Sequence, residues 1–230
     1  MIKARKGNKR KNKIHNDNAK ESQIAEEAFK VLRSNLQYSL VTDDKSKVIV
    51  VTSPEKGDGK STVSVNLAKS LALGGKNVII IDADLRRPTV HRKLGTINGI
   101  GLVDIIVGEN RLVDGLMDVE KNLYAITAGK TTANPAELLL SKKLASIIDE
   151  LKQKFEYIIL DTPPINIVAD TLPLAALSDG VILVVKYRKT KKKELLKASK
   201  LIKNTSNNLL GIVLNSVEVE EERYYNYTYY

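Results

Sequence analysis

The chain of 230 residues contains no cysteine. That absence excludes a disulfide framework, a thiolate zinc site and a cysteine-held iron–sulfur cluster. Long hydrophobic runs are missing as well. The longest, Val-Ile-Ile-Ile at 78–81 and Val-Ile-Leu-Val-Val at 181–185, fall far below the roughly 18–20 residues that span a bilayer. The basic N-terminus has no apolar stretch behind it and does not read as a secretory signal, so the expectation is a soluble, cytoplasmic chain. Acidic residues are absent from residues 1–13, which hold seven Lys or Arg, and from 186–193, which hold six; the formal net charge is +10, so the remainder stands at −3. A uniformly basic domain would argue for nucleic acid. Two basic patches on a slightly acidic body suit an anionic membrane surface, an acidic partner segment or nucleic acid. What is present, 43% hydrophobic and 28% charged residues, is a globular composition, long enough for one generous domain with appendages.

Residues 1–20 are rich in Lys, Arg and Asn, with Met1, Ile2 and Ile14 as the only large apolar residues, and read as a flexible basic arm. From Glu21 the pattern changes: Phe29, Leu32, Leu36 and Leu40 recur at spacings of three and four, an amphipathic helix. A folded domain then extends to residue 217. Within it, β-branched runs at 47–52, 77–82, 156–161, 180–186 and 209–214, with a shorter candidate at 123–127, alternate with helical segments. Such alternation predicts an α/β fold with a doubly wound, mostly parallel sheet covered on both faces. The clearest helix opens at Asn134-Pro135-Ala-Glu137 and carries Leu140, Leu144, Ile147, Ile148, Leu151 and Phe155 as its buried stripe. Residues 218–230 differ from everything before them. Glu218, Glu220, Glu221 and Glu222 precede Tyr224, Tyr225, Tyr227, Tyr229 and Tyr230, five of the chain's nine tyrosines.

The chemistry begins after the first strand, at Ser53-Pro-Glu-Lys-Gly-Asp-Gly-Lys60-Ser61-Thr62. This is a P-loop in its required context, strand before and helix after. Gly57, Asp58 and Gly59 let successive N–H groups curl around a phosphate, with Thr62 in the helix start behind them. Lys60 reaches the terminal phosphates and Ser61 offers its hydroxyl to Mg²⁺. The usual leading glycine is replaced by Pro54. Two further apolar strands end in carboxylates, at Asp82-Ala-Asp84 and at Asp161-Thr-Pro-Pro164, and open parallel sheets bind ligands at that edge. Any one of these aspartates alone reads equally as a helix cap or turn former. All three around one P-loop argue for a shared metal and phosphate site. Asn215 ends the last strand, where it is a candidate for the adenine edge or simply a turn residue.

Asp82-Ala-Asp84-Leu-Arg86-Arg87-Pro88 resembles the second Walker A motif of the bacterial tyrosine kinases of the CpsD/CapB type, and Asn134-Pro135-Ala-Glu137-Leu138-Leu139 and Asp161-Thr-Pro-Pro164 are similar to other segments of that family. The resemblance covers about residues 21–230. It implies a P-loop NTPase fold of MinD/ParA-like architecture, ATP and Mg²⁺ as cofactors, and transfer of the γ-phosphate to tyrosine. The terminal tyrosines would be the acceptors, offered to a neighbouring subunit. It also implies a ring of subunits built on a Glu-x-x-Arg-x-x-Arg helix, whose positions here are Glu27, Lys30 and Arg33; Lys30 keeps the charge but loses the bidentate fork. Further implications are a transmembrane chain-length regulator as activator, a cognate phosphotyrosine phosphatase, a role in capsule or exopolysaccharide synthesis, and a place on the inner face of the plasma membrane through the activator. An anionic membrane surface fits the basic arm; nucleic acid is not expected.

On this reading Lys60 and Mg²⁺ on Ser61 spread the γ-phosphate charge, Asp161 and Asp84 orient metal waters, and Asp82, itself beside the metal, aligns and deprotonates the tyrosine hydroxyl. The nearest rival is a MinD/ParA-type ATPase that dimerises on membrane or DNA. That class carries a signature lysine five residues before the P-loop lysine, where this chain has Glu55. A non-catalytic nucleotide-binding subunit is the other alternative, and it would require a broken constellation.

Overall fold

The computed structural model describes residues 7–40, 45–205 and 208–217. The chain divides into two units, 1–41 and 42–230. The first contains α1 (Gly7–Ser39), a helix of 33 residues. The sequence reading begins this helix at Glu21; it begins earlier because residues 8–20 contain neither Gly nor Pro and are rich in Lys and Arg, which tolerate a helix well. Lys30 Nζ lies 2.7 Å from Glu27 Oε1 and 3.3 Å from Glu26 Oε1, so this ammonium is paired along its own helix.

The second unit runs β1 (Lys47–Thr52), α2 (Lys60–Leu73), β2 (Val78–Asp82), α3 (Val90–Leu94), α4 (Leu102–Ile106), α5 (Leu112–Gly115), β3 (Met117–Glu120), β4 (Leu123–Ile126), α6 (Pro135–Leu139), α7 (Lys142–Lys152), β5 (Tyr157–Asp161), α8 (Thr171–Ala176), β6 (Gly180–Lys186), α9 (Lys192–Asn204) and β7 (Leu209–Asn215). Seven strands form one sheet in the order β3-β4-β2-β5-β1-β6-β7. Every pair is parallel except β3 with β4. β1, β2 and β5 are buried along their whole length, the condition that their unbroken apolar runs anticipate. One face of the sheet places Val48, Val50, Ile79, Ile81, Ile158 and Leu160 in a core shared with Leu144, Ile147, Ile148 and Leu151 of α7. Burial of each such side chain contributes roughly 1.5–3 kcal/mol.

Two elements depart from the expected boundaries. The helix opened by Pro135 is not continuous: Ser141 interrupts it, its Oγ accepting the Leu144 N–H at 3.2 Å as the cap of α7. The break turns Leu140 out to 67% exposure, while Leu144, Ile147, Ile148, Leu151 and Phe155 are buried as expected. β3 was not foreseen. Its sequence, Met-Asp-Val-Glu, is short and half acidic, which an edge strand tolerates and a periodicity search passes over. Among the described residues no helix is long and apolar enough to cross a membrane.

The topology positions the site. β1 lies between β5 and β6, and the chain leaves it first toward β2 and later toward β6, so the sheet switches direction at the carboxyl end of β1. In register, Asp161 sits opposite Val51 on one side and Asp82 on the other. Two carboxylates therefore arrive beside the loop that follows β1.

Candidate active site

The P-loop is shaped by its glycines and locked from outside. Gly57 and Gly59 have φ of 81° and 98°, left-handed conformations that glycine adopts without strain. They turn successive N–H groups into one concavity ahead of α2. The Asp58 side chain is buried at 1% exposure. Its Oδ2 accepts the Glu55 N–H at 3.0 Å and its Oδ1 accepts Thr190 Oγ1–H at 2.8 Å, so Asp58 offers a phosphate its backbone alone. Thr190 Oγ1 in turn accepts the Lys186 N–H at 2.8 Å. From the end of β7, Asn215 Nδ2 donates to the Asp58 carbonyl at 2.9 Å. The sequence reading leaves Asn215 as a candidate for the adenine edge or a turn residue; in the structure its amide nitrogen braces the loop, and a Cβ on Gly59 would lie 1.9 Å from it. Sequence reasoning missed Thr190, and also Lys189, whose Nζ stands 3.6 Å from where a Gly57 Cβ would be. Both sit inside the basic run 186–193, where charge alone drew attention.

Lys60 gathers the acidic residues. Its Nζ is 2.9 Å from Asp84 Oδ2 and 3.5 Å from Asp161 Oδ2, and 3.1 Å from Ser61 Oγ. Ser64, a residue the sequence did not single out, donates from Oγ to Asp161 Oδ1 at 3.0 Å. Burial alone would lower the pKa of the Lys60 ammonium, but the charges of Asp161 and Asp84 outweigh it and raise the value. Burial raises the Asp161 carboxyl despite Lys60 and the serine hydroxyls. Asp82 is pushed up to about 7, by burial first and by the charge of Asp161 second. Asp82 and Asp161 thus shift in the same direction with burial as the first cause in each, and the buried carboxylates of Asp82, Asp84 and Asp161 lie around the single ammonium of Lys60. The cluster lacks positive charge.

That deficit is the observation against which a metal is judged. A divalent cation beside Ser61, Asp84 and Asp161 would neutralise it, and the donors are the hard oxygens Mg²⁺ requires. Among the described residues no three His, Cys, Asp or Glu side chains converge as a complete metal cage. Mg²⁺ in phosphate sites uses one or two carboxylates and fills its shell with water and phosphate oxygens. The residues fit both ATP and Mg²⁺.

A cavity of about 470 Å³ opens beside the loop, lined by the P-loop with Lys56, Lys60, Ser61 and Thr62, by Asp84, Arg86, Arg87, Thr89 and Lys93 of the segment after β2, and by Pro163, Pro164, Ile167 and Val168. Asp84 lines it, whereas Asp82 and Asp161 do not. Asp82 Oδ1 accepts the Asp84 N–H at 3.3 Å, and Oδ2 accepts the N–H groups of Thr89 and Val90, each at 2.9 Å. The sequence reading assigns the base to Asp82; in the structure its carboxylate accepts N–H groups of the loop into α3, and Asp84 is the one that lines the cavity. Arg86 also lines the cavity, and its Nε lies 2.6 Å from Asp170 Oδ2. The structure thus brings together Gly57, Asp58, Gly59, Lys60, Ser61, Asp82, Asp84, Asp161 and Asn215. Glu27, Lys30 and Arg33 lie on α1 in the other unit, and Tyr224, Tyr225, Tyr227, Tyr229 and Tyr230 lie outside the described residues.

Comparison with known proteins meets this geometry. The family model described as AAA domain matches residues 46–212. The chain is 37% identical to the tyrosine-protein kinase CpsD of Streptococcus pneumoniae over 87% of its own length and 88% of that protein's. The crystal structure of the chimerical protein CapA2B2 superposes with a TM-score of 0.80 at 34% identity, covering 84% of this chain and 85% of that one. MinD of Pyrococcus horikoshii, complexed with Mg-ADP, reaches a TM-score of 0.65 at 24% identity over 79% of this chain and 76% of that one, a likeness of fold alone. With a P-loop NTPase fold, a lysine facing the carboxylates of two strand ends, and identity along nearly the whole domain, the chain belongs to the bacterial tyrosine-protein kinases of the CpsD/CapB family.

Proposed function

We propose that this kinase transfers the γ-phosphoryl group of ATP to tyrosines of its own C-terminal cluster, presented by a neighbouring subunit. The observation that carries the reading is the ammonium of Lys60 at the mouth of the P-loop, held 2.9 Å from the one carboxylate that lines the cavity. The left-handed glycines hold the phosphate chain through N–H groups, and the positive end of α2 favours its charge. Lys60 exchanges its carboxylate partners for phosphate oxygens when nucleotide enters. Ser61 with Asp84 and Asp161 would hold Mg²⁺ directly or through water, and the ion would supply charge neutralisation for the leaving phosphates. Asp84 orients the acceptor and takes its phenolic proton. The phenolic oxygen bonds to the γ-phosphorus as that phosphorus parts from the oxygen bridging to the β-phosphate, and ADP leaves. Catalysis of this kind is positioning and electrostatics more than covalent chemistry.

The surrounding biology belongs to the same proposal. Glu27, Lys30 and Arg33 share one face of α1 by their spacing of three and would join subunits in a ring. A membrane activator, a phosphotyrosine phosphatase, a role in capsule or exopolysaccharide synthesis and a place at the inner membrane surface are what the resemblance to this family implies, and the basic residues 1–13 would add salt-sensitive attraction to anionic lipid. One experiment tests the core of the reading. Lys60→Met protein serves as acceptor and active protein lacking residues 224–230 serves as donor, with radiolabelled ATP and Mg²⁺. Phosphotyrosine is expected on the Lys60→Met subunit, and none when that variant is incubated alone; labelling of the variant alone at the normal rate would remove the P-loop from the chemistry.

A further inference from the structure

The lining of the cavity beside the P-loop has two unlike parts. One is cationic. Arg87 and Lys93, exposed side chains of the segment that runs from β2 into α3, both line it. Their neighbour Arg86 is committed to Asp170, with Nε 2.6 Å from Oδ2 and Nη2 3.3 Å from Oδ1, and Lys60 is committed to the catalytic carboxylates. Among the described residues no carboxylate forms an ion pair with Arg87 or Lys93. The other part is apolar: Pro163, Pro164, Ile167 and Val168, with Ile167 left 48% exposed. Its backbone is fixed beside the P-loop, the Ile165 N–H donating to the Ser53 carbonyl at 2.9 Å and Thr171 Oγ1 donating to the Pro163 carbonyl at 2.7 Å. An apolar shelf and the cations Arg87 and Lys93, with Lys56 of the P-loop as a third in the same lining, describe a place for an aromatic ring with negative charge next to it.

One segment of this chain has that chemistry. Glu218, Glu220, Glu221 and Glu222 lie immediately before the tyrosine cluster that begins at Tyr224. We infer that Arg87 and Lys93 select the acceptor, binding acidic residues on the N-terminal side of the target tyrosine while Pro164, Ile167 and Val168 receive its ring, and that the occupant is residues 218–230 of a neighbouring copy. The inference rests on the kinase reading above and extends it from the reacting centre to substrate choice. Arg87 and Lys93 are specificity determinants and touch no reacting atom. Ion pairs of this exposure are individually weak and screened by salt, so the preference comes from several acting together.

The test measures binding to the full chain, saturated with Mg²⁺ and a non-hydrolysable ATP analogue, of a fluorescent peptide with the sequence of residues 217–227 and of its counterpart with Gln at the four Glu positions. The chain's own tail competes equally with both, so the ratio is read. The acidic peptide is expected to bind roughly three- to tenfold more tightly at low salt, with the advantage falling at high salt. Arg87→Glu/Lys93→Glu should abolish or invert the ratio, read for each protein at its own saturating concentration of the nucleotide analogue. Lys191→Glu/Lys192→Glu, the same change of net charge outside the cavity, should leave the ratio intact. Ile167→Ser should weaken both peptides alike. A ratio near one in the unmodified chain, a ratio that survives Arg87→Glu/Lys93→Glu, or one that falls equally in the Lys191/Lys192 control overturns the inference. Tight analogue binding with neither peptide bound would sink acceptor selection but leave the P-loop standing; loss of analogue binding in the unmodified chain would sink the kinase reading itself.

Discussion

Gly59→Ala isolates the mechanical design of the phosphate loop. Two costs arise at that position and they are separable. The φ of 98° is one an L-residue reaches only at about 1–2 kcal/mol. The new methyl would also fall 1.9 Å from Asn215 Nδ2, so the amide must swing away, breaking its 2.9 Å bond to the Asp58 carbonyl. A lost hydrogen bond that strands a half-buried carbonyl costs roughly 1–3 kcal/mol. Together the substitution should destabilise the domain by roughly 2–5 kcal/mol, a fall in melting temperature on the order of 10 °C for a domain of this size. In an Asn215→Ala background the second cost is already spent, and Gly59→Ala should cost only the conformational term of about 1–2 kcal/mol. Urea unfolding of the four proteins in this cycle gives the coupling directly. Equal costs of Gly59→Ala in both backgrounds would refute the argument that Gly59 is required to make room for the Asn215 brace.

Other consequences are as open to measurement. Arg86→Ala leaves the Asp170 carboxylate, 3% exposed, without its guanidinium, and because Arg86 is itself 44% exposed solvent offsets part of the loss, so the cost should be roughly 1–2 kcal/mol; Asp170→Asn in the same protein should recover some of it, and a further loss would contradict the charge explanation. The Glu156 carboxyl is held below its ordinary value of 4.5 chiefly by Lys76 Nζ, 2.8 Å away. A carboxyl depressed on folding stabilises above its unfolded value and loses that contribution as pH falls through the lower folded value. The gap in urea midpoint between the unmodified chain and Glu156→Gln should therefore be open at pH 6 and close below about pH 4; a gap independent of pH would reject the pair as its source. Phosphorylation adds roughly −1.5 to −2 charges per tyrosine beside four glutamates, so the modified protein should scatter light as a smaller assembly than the unmodified one, and an unchanged mass would exclude a charge-driven release of subunits.

The elements legible in advance are those whose signal is local. Lys47–Thr52 and Tyr157–Asp161 read as central strands because residues buried on both faces must be apolar at every position, and burial along their whole length bears this out. α2 was visible as the helix after the loop. Misread elements were those decided by a single competing contact: Ser141 could cap or continue a helix, and only its bond to the Leu144 N–H chose between them. Met117–Glu120 became a strand because β4 offers it an edge, information held by another part of the chain.

The site divides the same way. Sequence alone determined the chemical inventory: the glycines that permit left-handed backbone, the one lysine in reach of terminal phosphates, and aspartates at strand ends, because spacing along a strand or loop fixes those relations within a few bonds. The assignment of tasks came from tertiary structure. Asp82 and Asp84 are separated by a single residue and chemically identical, yet the first accepts three backbone N–H groups while the second lines the cavity. Asn215 and Thr190 are distant in sequence from the loop they brace. Which carboxylate is free, and which amide is already bonded, depends on donors brought near by folding, and no spacing along the chain encodes their arrival.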